Sequence, residues 1–132
     1  METMTNKINK TNRTKRQEIG DIGEDLACKY LQHYGYKIVD RNFSCKTGEI
    51  DIIAIHFVSG IISFVEVKSR NSISYGLPCQ AVNLAKQRKI KTTAEYYRLC
   101  HPNLKSYQPS FDIVEILRLN ENTYIRHLRN TF

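Results

Sequence analysis

Apolar residues recur at three- and four-residue steps through Ile19, Ile22, Leu26, Tyr30 and Tyr34, with Ala27 and Leu31 alongside. That period predicts a helix over residues 18–34, and Gly35 is placed to cap its end. The pattern then changes to runs rich in Ile, Val and Phe. Tyr36 to Phe43 reads as a strand, and Glu49–Phe57 and Ile61–Ser69 read as a hairpin turning near Ser59-Gly60. Ser, Asn, Gly and Pro mark Arg70–Pro78 as a loop. A second helix is expected from Gln80 to about Leu99, with Pro102 just beyond it. Two last strands, Phe111–Leu119 and Thr123–Leu128, flank a turn at Asn120-Glu121-Asn122. The order α-β-β-β-α-β-β predicts an α/β fold, a mixed sheet flanked by helices.

The pattern breaks at three charged positions. Asp51 interrupts the run Ile50-Asp51-Ile52-Ile53. Glu66 and Lys68 alternate with Val65 and Val67, so both point to one face of their strand. Charge buried in apolar strands is costly unless something compensates it. Cross-strand ion pairs on an exposed face are one use of such residues. The apolar neighbours argue instead for a sheet covered on both sides. Two carboxylates on paired strands then suit a hard divalent cation, Mg2+ or Mn2+, with positions left for water and phosphate. Lys68 is placed to orient the attacking water or to stabilise transition-state charge. The combination fits phosphodiester hydrolysis. Glu24 lies on the helix face shared by Gly20, Gly23 and Ala27, where glycines suggest close approach of helix to sheet. It would look toward the strand carboxylates and reach a metal through water.

The 132 residues predict one domain. A net charge of +7 implies an anionic partner, nucleic acid before an acidic membrane surface. Residues 1–16 carry Lys7, Lys10, Arg13, Lys15 and Arg16 among Thr and Asn, and are expected to form a disordered basic arm preceding a domain over 17–132. Cys28, Cys45, Cys79 and Cys100 stand singly, without zinc-ligand spacing, and no signal peptide or membrane-length apolar run is visible. Reduced thiols, a cytoplasmic location and no membrane partner are expected. On the second helix Lys86 shares a face with Lys89, and Arg88 with Lys91, while Arg98 follows near its end. One such side could track a phosphate backbone; a solvated helix face is the plainer use. His33, His56, His101 and His127 show no ligand spacing and are expected on the surface or in turns.

Glu24, Gly48-Glu49-Ile50-Asp51 and Phe64-Val65-Glu66-Val67-Lys68-Ser69-Arg70 together resemble the PD-(D/E)xK nuclease superfamily. Within it the chain is similar to the small bacterial YraN-like family, related to archaeal Holliday-junction resolvases. The resemblance spans roughly residues 16–130. It implies a restriction-endonuclease-like fold, with Asp51 and Glu66 as metal carboxylates, Lys68 as catalytic lysine and Glu24 as accessory acid. It also implies cleavage of nucleic acid, DNA before RNA, with a branched or structured substrate and a homodimer by analogy with the resolvases. Gln80 matches a position that orients substrate or the catalytic lysine in some relatives, and reads equally as a plain polar residue opening the helix; Arg70, Lys86, Arg88 and Lys89 complete the expected nucleic-acid contacts. Two positions depart from the superfamily pattern. Ile50 replaces a Pro before the Asp, and Ser110 stands where family members often carry Arg before the late Phe-Asp strand. A nucleic-acid-binding module that does not cut, serving DNA repair or uptake, is the competing reading.

Overall fold

The structure, a computed structural model, describes residues 15–70 and 82–132. Helix α1 spans Lys15–His33. Strands β1 (Tyr36–Cys45), β2 (Gly48–His56) and β3 (Ile61–Arg70) follow, then helix α2 (Leu84–Cys100), a 3-10 turn (Pro102–Leu104), β4 (Gln108–Leu119) and β5 (Asn122–Leu128). The expected α/β class holds, with the 3-10 turn as an added element. The five strands lie in one sheet in sequence order. All neighbouring pairs are antiparallel except β3 and β4, which run parallel. A parallel pair needs a crossover, and α2 supplies it.

Each helix covers one face. Ala27, Cys28 and Leu31 of α1 pack with Ile52, Ala54, Val65, Val114 and Ile116. Ile90, Ala94 and Tyr97 of α2 pack with Ile53, Ile62, Phe64 and Ile113. The alternation 52/53, 64/65 and 113/114 sends neighbours to opposite helices, so the central strands are apolar on both sides. Burying Leu31, Phe64 or Tyr97 each contributes about 1.5–3 kcal/mol. Gly35, at φ +90°, ends α1 as its position predicted.

Element ends moved where tertiary contacts decide them. Gln108 N–H bonds Gly60 O at 2.8 Å and Ile61 pairs with Gln108, which starts β4 three residues earlier than expected. β1 and β2 extend to a tight turn at Lys46-Thr47, and Thr47 Oγ1 meets Thr93 Oγ1 of α2 at 2.9 Å. α2 opens at Leu84 rather than Gln80, because Asn83 caps it through Oδ1 on Lys86 N–H. Gln80, Cys79 and residues 1–14 of the expected arm lie outside the described residues.

Gly23 sets how closely α1 approaches β3. A Cβ there would stand 2.5 Å from Ser69 Oγ. Alanine can be accommodated by rotating the serine hydroxyl; a long side chain must lift the helix. Gly23→Leu is expected to cost about 1–3 kcal/mol in urea unfolding, whereas a cost below the lower figure would mean the approach is not tight.

Candidate active site

Backbone pairing between β2 and β3 runs from His56↔Ile61 to Ile52↔Val65 and ends there. Beyond it β2 continues against β1 through Ile50 and Glu49, and β3 continues against β4 through Arg70. Asp51 and Glu66 occupy the next position on each strand, at the mouth of this fork. Asp51 bridges the gap: its Oδ2 accepts the Val67 N–H at 2.8 Å, a strand hydrogen bond made by a side chain. Glu66, 9% exposed, points to the α2 face beyond Phe64.

Both expected carboxylates and the expected lysine therefore come together. Lys68 Nζ is 3.5 Å from Glu66 Oε1. Burial, reinforced by the nearby Glu66 charge, pushes the Asp51 carboxyl up to about 7, against the pull of the Val67 N–H. Glu24 and Lys86 act on it more weakly and in opposite directions. Glu24 sits on α1 with its Oε1 buried, without a hydrogen-bond partner and 3.7 Å from Arg41 Nη2. Burial raises its pKa as well, opposed by Asn42 and Arg41. Arg41 also holds Asp25 at 2.9 Å.

Among the described residues no three His, Cys, Asp or Glu side chains form a metal-holding group. The fit to a cation is thus that of a carboxylate pair. Asp51, raised by burial and by the Glu66 charge, is relieved by a small hard cation shared with Glu66, with water or phosphate oxygens completing its shell.

Lys86 has a partner that the sequence did not show. Expected on a phosphate-facing side of α2, it turns inward, its Nζ 2.5 Å from Glu66 Oε1. Burial works against its charge, but the hydrogen bond and charge of Glu66 prevail and hold its pKa above the ordinary value. The Asn83 cap carries the reason, since it places the first turn of α2 beside the carboxylate. Arg88 and Lys89 are exposed on the same helix. Lys91 lies over the Phe111 ring at 5.8 Å, and Arg98 Nη2 donates to Lys105 O and Tyr107 O, so these two serve packing. Arg70 Nε stands 3.0 Å from Glu115 Oε2, and Arg126 Nη2 is 2.7 Å from Glu115 Oε1. Glu115, opposite Lys68 in the β3–β4 register, went unnoticed in the sequence. The same signal that exposed Asp51, an acid within an apolar strand, could have found it.

Asp112 is a third acid of this kind with a different fate. It is fully buried, accepting from Ser110 Oγ at 2.5 Å and Asn130 N–H at 2.9 Å, and it pairs with His127 Nε2 at 2.8 Å. Burial pushes its pKa up, but these hydrogen bonds outweigh it and the carboxyl sits below its ordinary range. The expectation of a surface or turn histidine fails at His127, whose side chain is 3% exposed. Ser110, at the departing position, is part of this clasp. His56 is at the far end of β2, bound to Ser59 Oγ and Tyr34 O. Cys28, Cys45 and Cys100 are free thiols, and no helix among the described residues is long and apolar enough to cross a membrane.

The raised Asp51 pKa has a measurable consequence. The folded state keeps that proton to higher pH than the unfolded chain. Its contribution therefore favours folding below the ordinary carboxylate pKa and is lost as pH rises through about 7. In metal-free buffer Asp51→Asn is expected to melt at or above the wild-type temperature at pH 8, with a smaller gap at pH 5. A variant that melts lower at pH 8 would show that the ionised acid is not a burden to the fold.

The profile of the uncharacterised protein family UPF0102 matches residues 23–116, a stretch that holds Glu24, Asp51, Glu66, Lys68 and Lys86. A UPF0102 protein of Caldanaerobacter subterraneus subsp. tengcongensis is 44% identical over 117 residues, covering 86% of this chain and 93% of the relative. One from Clostridium tetani is 47% identical over 117 residues, with 87% and 93% covered, and one from Clostridium perfringens 50% over 98 residues, with 74% and 78% covered. These matches bear out the YraN-like resemblance at the level of the family: the chain belongs to the uncharacterised protein family UPF0102.

Proposed function

We propose that this protein is a metal-dependent nuclease that hydrolyses phosphodiester bonds in DNA, in the manner of PD-(D/E)xK enzymes of restriction-endonuclease-like fold. The observation that carries the reading is the fork between β2 and β3, which sets Asp51 and Glu66 side by side with Lys68 Nζ 3.5 Å from Glu66. Asp51 and Glu66 would hold Mg2+ or Mn2+, with Glu24 acting through water from α1. When bound, such a cation supplies Lewis acidity at a phosphoryl oxygen and lowers the pKa of the attacking water. Asp51 is fixed for this by the Val67 N–H, which anchors one carboxylate oxygen. Lys68 offers its ammonium to the water or to charge building on the phosphoryl oxygens. Arg88 and Lys89, exposed on α2, supply contacts to the phosphate backbone that are salt-dependent and blind to sequence. A chain of net charge +7 suits that partner. DNA rather than RNA, branched DNA as substrate and a homodimer belong to this proposal through the family resemblance alone, and a cytoplasmic setting through the scattered cysteines.

The ion pair between Lys86 and Glu66 favours a second reading, a module that binds nucleic acid without cutting it. Cleavage of plasmid, linear and four-way-junction DNA with Mg2+ or Mn2+ separates the two. Wild type is expected to cut while Asp51→Ala and Lys68→Ala do not. Equal residual cleavage by all three proteins would reject the nuclease, and tight DNA binding with no metal uptake in calorimetry would favour the second reading.

A further inference from the structure

Glu66 is held by two cations, and they are not equivalent. Lys68 Nζ lies 3.5 Å from Glu66 Oε1 and Lys86 Nζ 2.5 Å from the same oxygen. Lys68 belongs to β3 itself and its side chain is 24% exposed; Lys86 belongs to the first turn of α2 and is 42% exposed. The backbone beneath Lys86 is fixed, since its own N–H is capped by Asn83 Oδ1 at 2.9 Å and Val82, just before the cap, is buried in the core. Above that fixed point runs a flexible four-carbon stem. The ammonium can therefore leave Glu66 for solvent without moving the helix. An ammonium 2.5 Å from Glu66 Oε1 and a divalent cation bound at the same carboxylate compete for its lone pairs and repel each other.

We propose that Lys86 is a resident counter-ion of Glu66 that a divalent cation must displace, and that the released ammonium turns to a phosphate of the bound nucleic acid. The inference rests on the cation-site reading above. Before metal enters, Lys86 compensates Glu66 and the carboxylate pair stays together. After metal enters, a positive charge is freed at the N-terminal end of α2, beside the exposed Arg88 and Lys89. Metal binding and nucleic-acid binding then reinforce one another, and by linkage each raises the affinity of the other equally.

Mn2+ binding in the absence of DNA, followed by electron paramagnetic resonance, tests this without any cleavage. Lys86→Met keeps much of the stem and removes the competitor. Lys86→Gln keeps a hydrogen-bond donor for Glu66 without charge, and guards against a Met variant that folds poorly. Both are expected to bind Mn2+ about tenfold tighter than wild type. Lys105→Met, which removes an exposed lysine beyond the opposite end of α2, is expected to match wild type. In DNA-binding titrations Mn2+ should raise wild-type affinity more than that of Lys86→Met. Unchanged or weaker Mn2+ affinity in both neutral variants would overturn the displacement while leaving the cation site standing. No Mn2+ uptake by wild type or any variant would overturn both.

Discussion

Lys68→Ala is expected to lower metal-dependent DNA cleavage by about 10²–10⁴-fold, the range for losing one proton-transfer or charge-stabilising group. Its Mn2+ uptake should stay near the wild-type level, because Lys68 Nζ, 3.5 Å from Glu66 Oε1, does not occupy that oxygen as Lys86 does at 2.5 Å. Asp51→Asn and Glu66→Gln should behave differently, losing cleavage and Mn2+ uptake together. The division follows from the geometry. The two carboxylates form the mouth of the β2–β3 fork, whereas Lys68 reaches the site from the same face of β3, next to Glu66. Single-turnover cleavage beside a Mn2+ titration checks it. A Lys68→Ala protein that cuts like wild type would place the chemistry on other groups.

Asp112→Ala is expected to destabilise the fold by about 3–5 kcal/mol, the cost of leaving buried partners of a charged group unmatched. Three partners lose their acceptor at once: Ser110 Oγ, the Asn130 N–H and His127 Nε2. The clasp also secures the C-terminal end, where Thr131 N–H bonds Phe111 O and Phe132 stacks on Phe111. Because the folded pKa of Asp112 lies below its ordinary value, its contribution is present above the ordinary carboxylate pKa and is lost as pH falls through the lowered one. Wild type should therefore shed part of its advantage over Asp112→Ala at strongly acid pH. Urea unfolding of Asp112→Ala, His127→Ala and the double variant would measure the pair directly. A coupling energy near zero would mean that Asp112 and His127 act independently.

The helices and strands were legible because their apolar periods are strong: Ala27 and Leu31 do pack on the sheet, and Ile52 and Ile53 do face opposite helices. Asp51, Glu66 and Lys68 were legible because each puts charge where the period demands an apolar residue. That signal does not distinguish uses, however. Asp112 and Glu115 interrupt β4 in the same way, yet Asp112 is satisfied by a clasp and Glu115 by Arg70 and Arg126. Whether a buried acid is matched by fixed donors or left beside another acid depends on partners remote in sequence. The inward turn of Lys86 was illegible for a related reason. A lysine three residues after a helix cap reads as solvated until the docking of α2 brings Glu66 beneath it.

Anomalous X-ray diffraction from crystals soaked in Mn2+ would locate the cation itself. A peak about 2.0–2.6 Å from carboxylate oxygens of both Asp51 and Glu66 is the predicted result. No peak at that pair, with Lys86 still seated on Glu66, would contradict a metal-dependent site between these two strands.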